Sequence, residues 1–513
     1  MKFWHVKYAF AGLALSALIV PSAVAQKGIG VGLSSANPRS GVQPTRIAPG
    51  YQISPIAEGS EPLENPSAKI TKFGLLANGT KTEPDENTYV VFDHNPGGPD
   101  SGFDYGRHFL YQGHENAGNL AYLTRVNLDV TEAGHRITLL TPENASGFTG
   151  FNSIDGSGWN PYSQTLLFTQ EAGSNGGVIQ VTPGWPPVVT TLDGIMGKGG
   201  FEGVHFDNRG NVYLVEDAGG TSVNVIRGDA TSAKTAKQPN SFVYRFVPYN
   251  VANLSQGGKL QALQVWIDGS PVVFTADAVA DTFSTNQLKL HTLGTSYSAR
   301  WVTIHDTAVS TASFNANTAA KNALATPFKR PENIAFLPGS GFNTFFFDPT
   351  GDTDITSGSQ PELEARGAYG SIFRVDFPGD STDGKISIFF RGDSIHNSFD
   401  NVTFADNGTL LATEDRGDLL HSQLNTFDSI WAFDVRHPGG TPTRFVALGR
   451  DPESNADVQA NGEGDNEPTG LHVSDGSSTI GGLLYKQVKP NAARWFFTQQ
   501  HGDNVVYEVT PAE

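Results

Sequence analysis

Two stretches of equal length decide the fold: Phe201–Asp217, FEGVHFDNRGNVYLVED, and Phe399–Asp415, FDNVTFADNGTLLATED. In each, an apolar run leads into an Asp-Asn turn that contains glycine, and a second apolar run follows. Asn and Gly adopt positive φ at little cost, so each stretch predicts a β-hairpin. A third copy has Trp159–Tyr162 at the turn and continues through Thr165–Glu171. The chain therefore repeats one antiparallel unit.

Short runs with period-two alternation recur from Thr71 onward, which is the pattern of half-buried strands. Their repetition at uneven spacing predicts an all-β fold, a β-propeller with inserted loops and short helices. The longest insertions are expected at Thr221–Gln238 and Asp306–Pro327, and the clearest helix at Ala312–Ala325. A double-sheet sandwich is the structural alternative.

Composition narrows the classes of function. The 513 residues include 34 Lys and Arg against 52 Asp and Glu, a formal charge of -18. So acidic a chain is a poor candidate for binding nucleic acid or anionic lipid. The acidity serves solubility, or part of it is neutralised by bound cations. Cysteine is absent, which excludes disulfides, thiolate metal ligands and cysteine nucleophiles.

The N-terminus has the pattern of a secretory signal. Lys2 and Lys7 precede the apolar run Tyr8–Val20, and Ala23–Ala25 forms a small-x-small cleavage pattern. No Arg-Arg pair accompanies it, which favours general secretion over the twin-arginine route. The run is short for a membrane span, and no later run of about 18 apolar residues follows. We expect a secreted or periplasmic protein without stable membrane insertion.

The signal pattern, the composition of the following stretch and the strand repeats divide the chain into three parts. Residues 1–25 are expected to be a signal peptide, residues 26–66 a loose arm rich in Gly, Ser and Pro, and residues 67–513 a single β-propeller domain.

Four acids stand just before apolar strand starts: Glu202, Glu332, Asp400 and Glu467. The innermost strand of each propeller blade lines the central channel, so equivalent positions of different blades converge there. Carboxylate oxygens suit Ca²⁺, which accepts about six to eight oxygen ligands in irregular geometry. The acids therefore predict a calcium site at one mouth of the channel; the alternative is that each caps a surface turn.

A second set of polar residues follows strands instead of preceding them. These residues are candidates for further metal ligands or for the polar groups that orient them, and solvated hairpin ends are the alternative. The set comprises Glu171, Asp217, Glu414, Asp415, the Gln499–His501 end and the early pair His114-Glu115. Asp348–Asp354 is rich in Asp but lacks EF-hand spacing, so we expect a polar loop there.

Seven short segments around these acids follow one another across most of the chain. They are His114-Glu115-Asn116, Phe201-Glu202-Gly203, Val243–Pro248, Ala325–Ile334 with its Arg330-Pro331-Glu332, Ser398–Asn401, Glu467-Pro468-Thr469-Gly470 and Gln500-His501-Gly502. In wording and order these segments resemble the PhoX-type alkaline phosphatases.

That family is exported, propeller-folded and dependent on calcium and iron. The resemblance implies that Glu202 and Glu332 are the central bridging ligands and act in catalysis. It implies further metal ligands at Asp400, Glu467, Glu171 and Glu115. The reaction implied is metal-assisted hydrolysis of a small phosphoester, in which cations neutralise the phosphoryl oxygens and position the attacking oxygen.

One departure bears on iron. The family carries an iron-binding cysteine in an Asn-Asn-Cys-Ala-Gly-Gly segment, and the corresponding region here is Phe151–Gly156. Ser153 or Asp155 could supply an oxygen ligand instead and make a calcium-only site. The family also commonly uses twin-arginine export, which the N-terminus of this chain does not match.

Three functions follow from these observations. The first is an exported, calcium-dependent phosphoric-ester hydrolase, with iron as a further possible metal. The second is a calcium-dependent propeller lactonase or esterase, which predicts a single buried metal site. The third is a non-catalytic, calcium-stabilised binding propeller, in which metal raises the melting temperature but no ester is hydrolysed.

Overall fold

The computed structural model describes residues 29–379, 381–452, 466–485 and 494–512. Strands dominate these ranges, and the helices are short. The strands are β1 Arg46–Ile47, β2 Tyr51–Ala57, β3 Glu83–Val91, β4 His108–Glu115, β5 Tyr122–Asn127, β6 Ile137–Leu139, β7 Ile154–Asn160, β8 Thr165–Gln170, β9 Gly177–Val181, β10 Val189–Thr191, β11 Phe201–Phe206, β12 Val212–Glu216, β13 Ser222–Val223, β14 Ala236–Lys237, β15 Val243–Pro248, β16 Gly258–Ile267, β17 Ser270–Pro271, β18 Tyr297–Asp306, β19 Pro331–Phe336, β20 Thr344–Pro349, β21 Ser371–Asp376, β22 Asp383–Arg391, β23 Phe399–Phe404, β24 Thr409–Glu414, β25 Ser429–Asp434, β26 Thr443–Ala447, β27 Glu467–Ser474, β28 Arg494–Gln500 and β29 Val505–Pro511.

The helices connect or decorate these strands. They are α1 Ala133–Arg136, α2 Ala278–Thr282, α3 Thr285–Leu290, α4 Ala316–Asn322, α5 Ile355–Gly358, α6 Pro361–Glu364, α7 Gly417–Leu424 and α8 Ile480–Tyr485. None of the helices in the described ranges is long and apolar enough to cross a bilayer. The signal-peptide prediction, residues 1–25, lies outside the described residues.

Within the described residues the strands form six antiparallel blades around one axis. From the axis outward, the blades are β3-β4-β5-β6, β7-β8-β9-β10, β11-β12-β15-β16, β19-β20-β21-β22, β23-β24-β25-β26-β1 and β27-β28-β29-β2. The inner strands contact one another in the ring order β3, β7, β11, β19, β23, β27. Strand β18 pairs with both β16 and β22, so the third and fourth blades form one continuous sheet. This ring confirms the propeller and excludes the sandwich.

The repeated hairpins predicted from sequence are the two innermost strands of a blade. At the turn between β11 and β12, the Asp207 carboxylate accepts hydrogen bonds from the backbone N–H groups of Arg209 and Asn211, at 2.8 and 2.9 Å. Gly210 closes this turn with φ 78°. Asp406 accepts from the Gly408 N–H in the equivalent turn between β23 and β24. The turns therefore fix strand register in each copy.

Aromatic side chains fill the spaces between blades. Phe346 of β20 is fully buried and meets Phe389 and Phe404 edge to face, with ring centroids 5.1 and 5.5 Å apart. Truncating a phenylalanine in such a setting costs about 3–5 kcal/mol. Alternating strands thus bury one aromatic face against the next blade, which holds the inner strands in a closed ring.

Two expectations from sequence are refined. The helix expected within Ala312–Ala325 is α4, which begins after Asn315, whose side chain accepts a hydrogen bond from the Thr318 N–H at 2.7 Å. The segment expected to be a loose arm supplies two outer strands, because β1 pairs with β26 and β2 pairs with β29. Gly and Pro residues interrupt the period-two pattern of this segment, so the sequence did not predict these strands.

Inserted segments build a small second core beside the end of the ring where the inner strands begin. The hairpin β13–β14 packs with parts of α2, α6 and the loop after α6, through the buried residues Val223, Val225, Ala236, Phe283, Leu363 and Ala368. Gln238 donates to the Asp281 carboxylate at 2.8 Å, and the Lys237 N–H donates to Asp352 at 3.1 Å. These contacts hold the insertion of the third blade against that of the fourth.

Candidate metal centre

Each inner strand carries a bulge where its pairing with the second strand of the blade skips two residues. A bulge re-aims side chains that regular pleating would direct elsewhere. In five blades the first skipped residue is acidic, and in the sixth it is glycine. The skipped pairs, in blade order, are Asp85-Glu86, Asp155-Gly156, Glu202-Gly203, Glu332-Asn333, Asp400-Asn401 and Gly470-Leu471.

The acids of neighbouring blades meet in groups of three. Within each group, one carboxylate oxygen from every member lies within 4.8 Å of those of the other two. Each group joins the bulge acid of one blade, the acid at or just beyond the end of its second strand, and the bulge acid of the next blade. The groups are Asp85, Glu115 and Asp155; Asp155, Glu171 and Glu202; and Glu202, Asp217 and Glu332.

Asp155 and Glu202 each belong to two groups. The three groups therefore form one continuous arc of carboxylates over the first four blades. Glu332 ends this arc and belongs to one group only. Such sharing is the arrangement in which one carboxylate can bridge two cations.

The blade without a bulge acid is closed by hydrogen bonds. Gly470 takes its place with φ 60°, and a Cβ there would lie 2.7 Å from the Asp85 carbonyl oxygen. The Thr469 hydroxyl donates to Asp85 and, at 3.1 Å, to Asn401. Gln500 donates to the second Asp85 oxygen at 3.2 Å. Asp85 is thereby fixed at one end of the arc.

Asp400 and Glu467 belong to the inner strands of the fifth and sixth blades. The Asp400 carboxylate accepts hydrogen bonds from the Asn401 amide at 3.0 Å and the Thr413 hydroxyl at 3.3 Å. Burial raises the pKa of Glu467 well above its usual range, and the charges of Asp415, Asp400 and Asp85 raise it further. Glu467 is the first residue of β27 and lies three residues before its bulge.

The arc carries strong mutual repulsion. Burial, followed by neighbouring carboxylates, raises the pKa of Glu115, Asp155, Glu202 and Glu332 well above the usual range. The same causes raise the pKa of Glu171 to about 8. Burial raises the pKa of Asp85 to about 6, a smaller shift because Thr469 and Gln500 stabilise the carboxylate. Bound cations would relieve this repulsion.

One guanidinium lies against the end of the arc. Arg330 Nε donates to Asp217 at 2.7 Å, and another of its nitrogens lies 3.8 Å from Glu332. Burial alone would lower the pKa of Arg330, but the charges of Asp217, Glu332 and Asp415 raise it on balance. The same charges act on Lys237. Burial lowers its pKa and the charge of Arg330 lowers it further, whereas the charges of Asp217, Asp352 and Glu332 raise it.

The donor set fits a hard divalent cation. Asp217 Oδ1 and Glu332 Oε1 are buried and have no hydrogen-bond partner among the described residues. Buried carboxylate oxygens without a partner are costly unless a cation contacts them. Every ligand atom of the three groups is oxygen, the preference of Ca²⁺ and Mg²⁺ and not of soft metals.

The structure brings four of the six sequence-predicted ligands into the arc: Glu115, Glu171, Glu202 and Glu332. Asp400 and Glu467 are not members of these three groups, although the charge of Asp400 contributes to the raised pKa of Glu332. Sequence reasoning did not single out Asp85, and it named Asp155 only as a replacement for the missing cysteine. Both acids are the first of the two residues that a bulge leaves unpaired. After Asp155-Gly156, for example, pairing with the second strand resumes at Ser157.

Other candidates have different roles. Glu414 is turned away and accepts hydrogen bonds from Arg416 and the Ser429 N–H, at 2.8 and 2.9 Å. In the loop Asp348–Asp354, Asp352 pairs with the buried Lys329 at 2.8 Å and Asp354 caps α5. That loop is therefore structural.

A six-bladed propeller with a carboxylate arc at one mouth of its channel defines the class of this protein. Residues 138–435, more than half of the chain, match the family described as alkaline phosphatase PhoX. The chain belongs to the PhoX alkaline phosphatase family, as its sequence motifs indicated.

A solved structure with a TM-score above 0.5 supports the fold. Pseudomonas fluorescens PhoX in complex with vanadate, a transition state analogue, is 14% identical, has a TM-score of 0.55, and the match covers 94% of this chain and 98% of that one. A gluconolactonase from Xanthomonas campestris is 9% identical with a TM-score of 0.39, covering 93% and 97%. A search of curated proteins finds no match.

Proposed function

We propose that this protein is an exported hydrolase of small phosphoric esters whose activity depends on divalent cations, calcium foremost, held by the carboxylate arc. The observation that carries the proposal is the set of three acid groups with shared members Asp155 and Glu202. Family membership supports phosphoester hydrolysis as the reaction. The signal-like N-terminus and the family's export support the location.

The ligands proposed for the cations are the arc members together with Asp400 and Glu467. When bound, the cations would neutralise phosphoryl oxygens and lower the pKa of the attacking water. The absence of cysteine supports an all-oxygen site over one with a thiolate-bound iron. Within this site we propose Glu202 and Glu332 as the acids nearest to the reaction, because both group with Asp217, the carboxylate to which the Arg330 guanidinium donates.

Arg330 has its own role in this proposal. Its planar fork matches two oxygens of a phosphoryl group, as it now matches the carboxylates of Asp217 and Glu332. Cations bound to those carboxylates would compete with the guanidinium for them, which would leave its N–H groups available for phosphate. Arg330 would then orient the phosphoryl group and neutralise its charge.

The direct test is hydrolysis of p-nitrophenyl phosphate by the mature protein, first with calcium and then after chelation. Calcium-dependent turnover is expected. Folded, calcium-loaded protein that hydrolyses no phosphoester would overturn the proposal and favour the binding-propeller function. Metal content measured by mass spectrometry on the same sample separates loss of cation from loss of chemistry.

Two adjacent acids provide a matched pair of variants. Asp217 faces the arc, whereas Glu216 faces the blade interior and accepts hydrogen bonds from Tyr244 and Asn317 at 2.8 and 3.0 Å. We expect Asp217→Asn to lower bound metal and turnover together, by about tenfold or more in turnover if one charged contact is lost. Glu216→Gln should leave metal content unchanged. Equal metal content in both variants would remove Asp217 from the site.

A further inference from the structure

A lysine on the insertion of the third blade lies beside the end of the carboxylate arc. The insertion leaves the ring just after Asp217 and forms the two-stranded ribbon β13–β14. In that ribbon Val223 pairs with Ala236, and both are buried in the small second core. Lys237 follows Ala236, and because side chains alternate across a strand it lies on the opposite face of the ribbon. The ribbon therefore packs through one face and presents Lys237 on the other.

Hydrogen bonds fix the backbone of Lys237. Its N–H donates to Asp352 Oδ1 at 3.1 Å, and Lys329 Nζ donates to the same oxygen at 2.8 Å. Lys329 and Asp352 are both buried, whereas the Lys237 side chain is partly exposed. The ribbon is thereby held against the insertion of the fourth blade while the Lys237 side chain extends from it.

The charge of Lys237 has no direct partner within the described residues, where its ammonium group forms neither a hydrogen bond nor an ion pair. The charged groups that influence its pKa are Arg330, Asp217, Asp352 and Glu332. Arg330 already pairs with Asp217. Lys329 already pairs with Asp352. The ammonium of Lys237 is therefore a positive charge beside the proposed site that is available to an anion.

We propose that Lys237 selects phosphoesters whose alcohol carries a carboxylate near the ester oxygen. This inference rests on the proposed function, in which the cations and Arg330 hold the reacting phosphoryl group. Lys237 stands on the insertion, outside the ring of inner strands, so it is placed to meet the part of the ester that extends away from the arc. An ammonium is a compact charge on a flexible stem, and one such charge balances one carboxylate.

Two achiral substrates measure this preference. Phosphoglycolate and hydroxyethyl phosphate share the phosphoryl group, the ester oxygen and one methylene, and they differ in a carboxylate against a neutral CH₂OH group. Released phosphate gives kcat and KM for each substrate with the mature, calcium-loaded protein. The quantity to follow is the ratio of kcat/KM for phosphoglycolate to kcat/KM for hydroxyethyl phosphate, because differences in the amount of active protein cancel in it.

Substitution of Lys237 should change this ratio. We expect Lys237→Gln to lower it about tenfold, mainly through a higher KM for phosphoglycolate, because the lost contact is present before and during the reaction. Lys237→Arg keeps the charge and should keep most of the preference. Lys234→Gln is the matched control, because Lys234 is exposed on the same insertion, and it should leave the ratio within about twofold of wild type.

The outcomes separate this inference from the proposed function. If folded, calcium-loaded wild type hydrolyses neither substrate, the proposed function is wrong and the inference falls with it. If both are hydrolysed and the ratio is equal in wild type, Lys237→Gln and Lys234→Gln, Lys237 does not select the substrate and the proposed function stands. An equal fall in kcat/KM for both substrates in Lys237→Gln would assign the residue to structure or to the phosphoryl group, and would likewise overturn the inference.

Discussion

Substitution of Glu202 should stabilise the metal-free protein and destabilise the calcium-bound protein. Its carboxylate lies within 4.8 Å of four others, those of Asp155, Glu171, Asp217 and Glu332. At that distance and an effective dielectric constant of about 20, each ionised pair repels by roughly 3.5 kcal/mol. Sharing of protons within the arc reduces this sum. We therefore expect removal of the Glu202 charge to stabilise the metal-free protein by about 2–4 kcal/mol.

We expect the order of the melting temperatures of Glu202→Gln and wild type to reverse between chelator and calcium. A chain of this length unfolds with an entropy of roughly 1 kcal/mol per kelvin, so Glu202→Gln should melt about 2–4 °C above wild type in chelator. With saturating calcium the order reverses, because the variant lacks the ligand shared by two groups. Scanning fluorimetry in EDTA and in calcium measures both values at one pH.

Glu216→Gln is the control for this experiment. Glu216 is also buried and acidic, but its hydrogen bonds to Tyr244 and Asn317 stabilise it and it belongs to none of the acid groups. Whatever change in melting temperature Glu216→Gln produces should be the same with and without calcium. If Glu202→Gln melts below wild type in chelator, the arc is not under repulsive strain and the electrostatic argument is wrong.

Three further predictions concern other positions. Gly470→Ala places a Cβ 2.6 Å from the Asn87 amide at φ 60°, so we expect a loss of about 2–4 kcal/mol, read as a lower melting temperature. Burial lowers the pKa of His291 to about 3, whereas unfolded histidine titrates near 6.5; stability from the neutral ring is therefore complete above pH 6.5 and lost as pH falls toward 3. Between pH 6.5 and 4.5 the melting temperature of His291→Gln should therefore fall less than that of wild type. An equal fall in both proteins would contradict this. Arg330→Lys keeps the charge but not the fork, so inhibition of hydrolysis by inorganic phosphate should weaken about tenfold, and unchanged inhibition would remove Arg330 from phosphate binding.

The sequence predicted the fold well because its signals are local. The hairpin turns at Asp207 and Asp406 carry their own hydrogen bonds, so repeated turns predict repeated blades. The outer strands β1 and β2 depend on partners that follow more than 390 residues later, at β26 and β29. Their pairing is set by ring closure and not by nearby residues, which is why the segment resembled a loose arm.

The site was predictable where a bulge acid is followed by Gly or Asn and an aliphatic residue, as at Glu202, Glu332 and Asp400. Asp85 departs from this pattern because Glu86 and Asn87 follow it, and the Glu83–Glu86 segment resembles a polar turn. Glu467 has the family motif but stands three residues before the bulge glycine, so its place in the ring could not be inferred from strand starts alone.

Ring closure by β2 and β29 also sets the order of folding during the expected export. The arc from Asp85 to Glu332 belongs to the first four blades, and its residues cross the membrane before those of the last blade. The final blade needs β2, an early segment that must wait for β29 before its edge is covered. A nascent chain can therefore assemble its carboxylates while one blade is still open, and an unpaired edge strand is exposed for that interval. Cations available at that stage would act on assembly as well as on the finished protein.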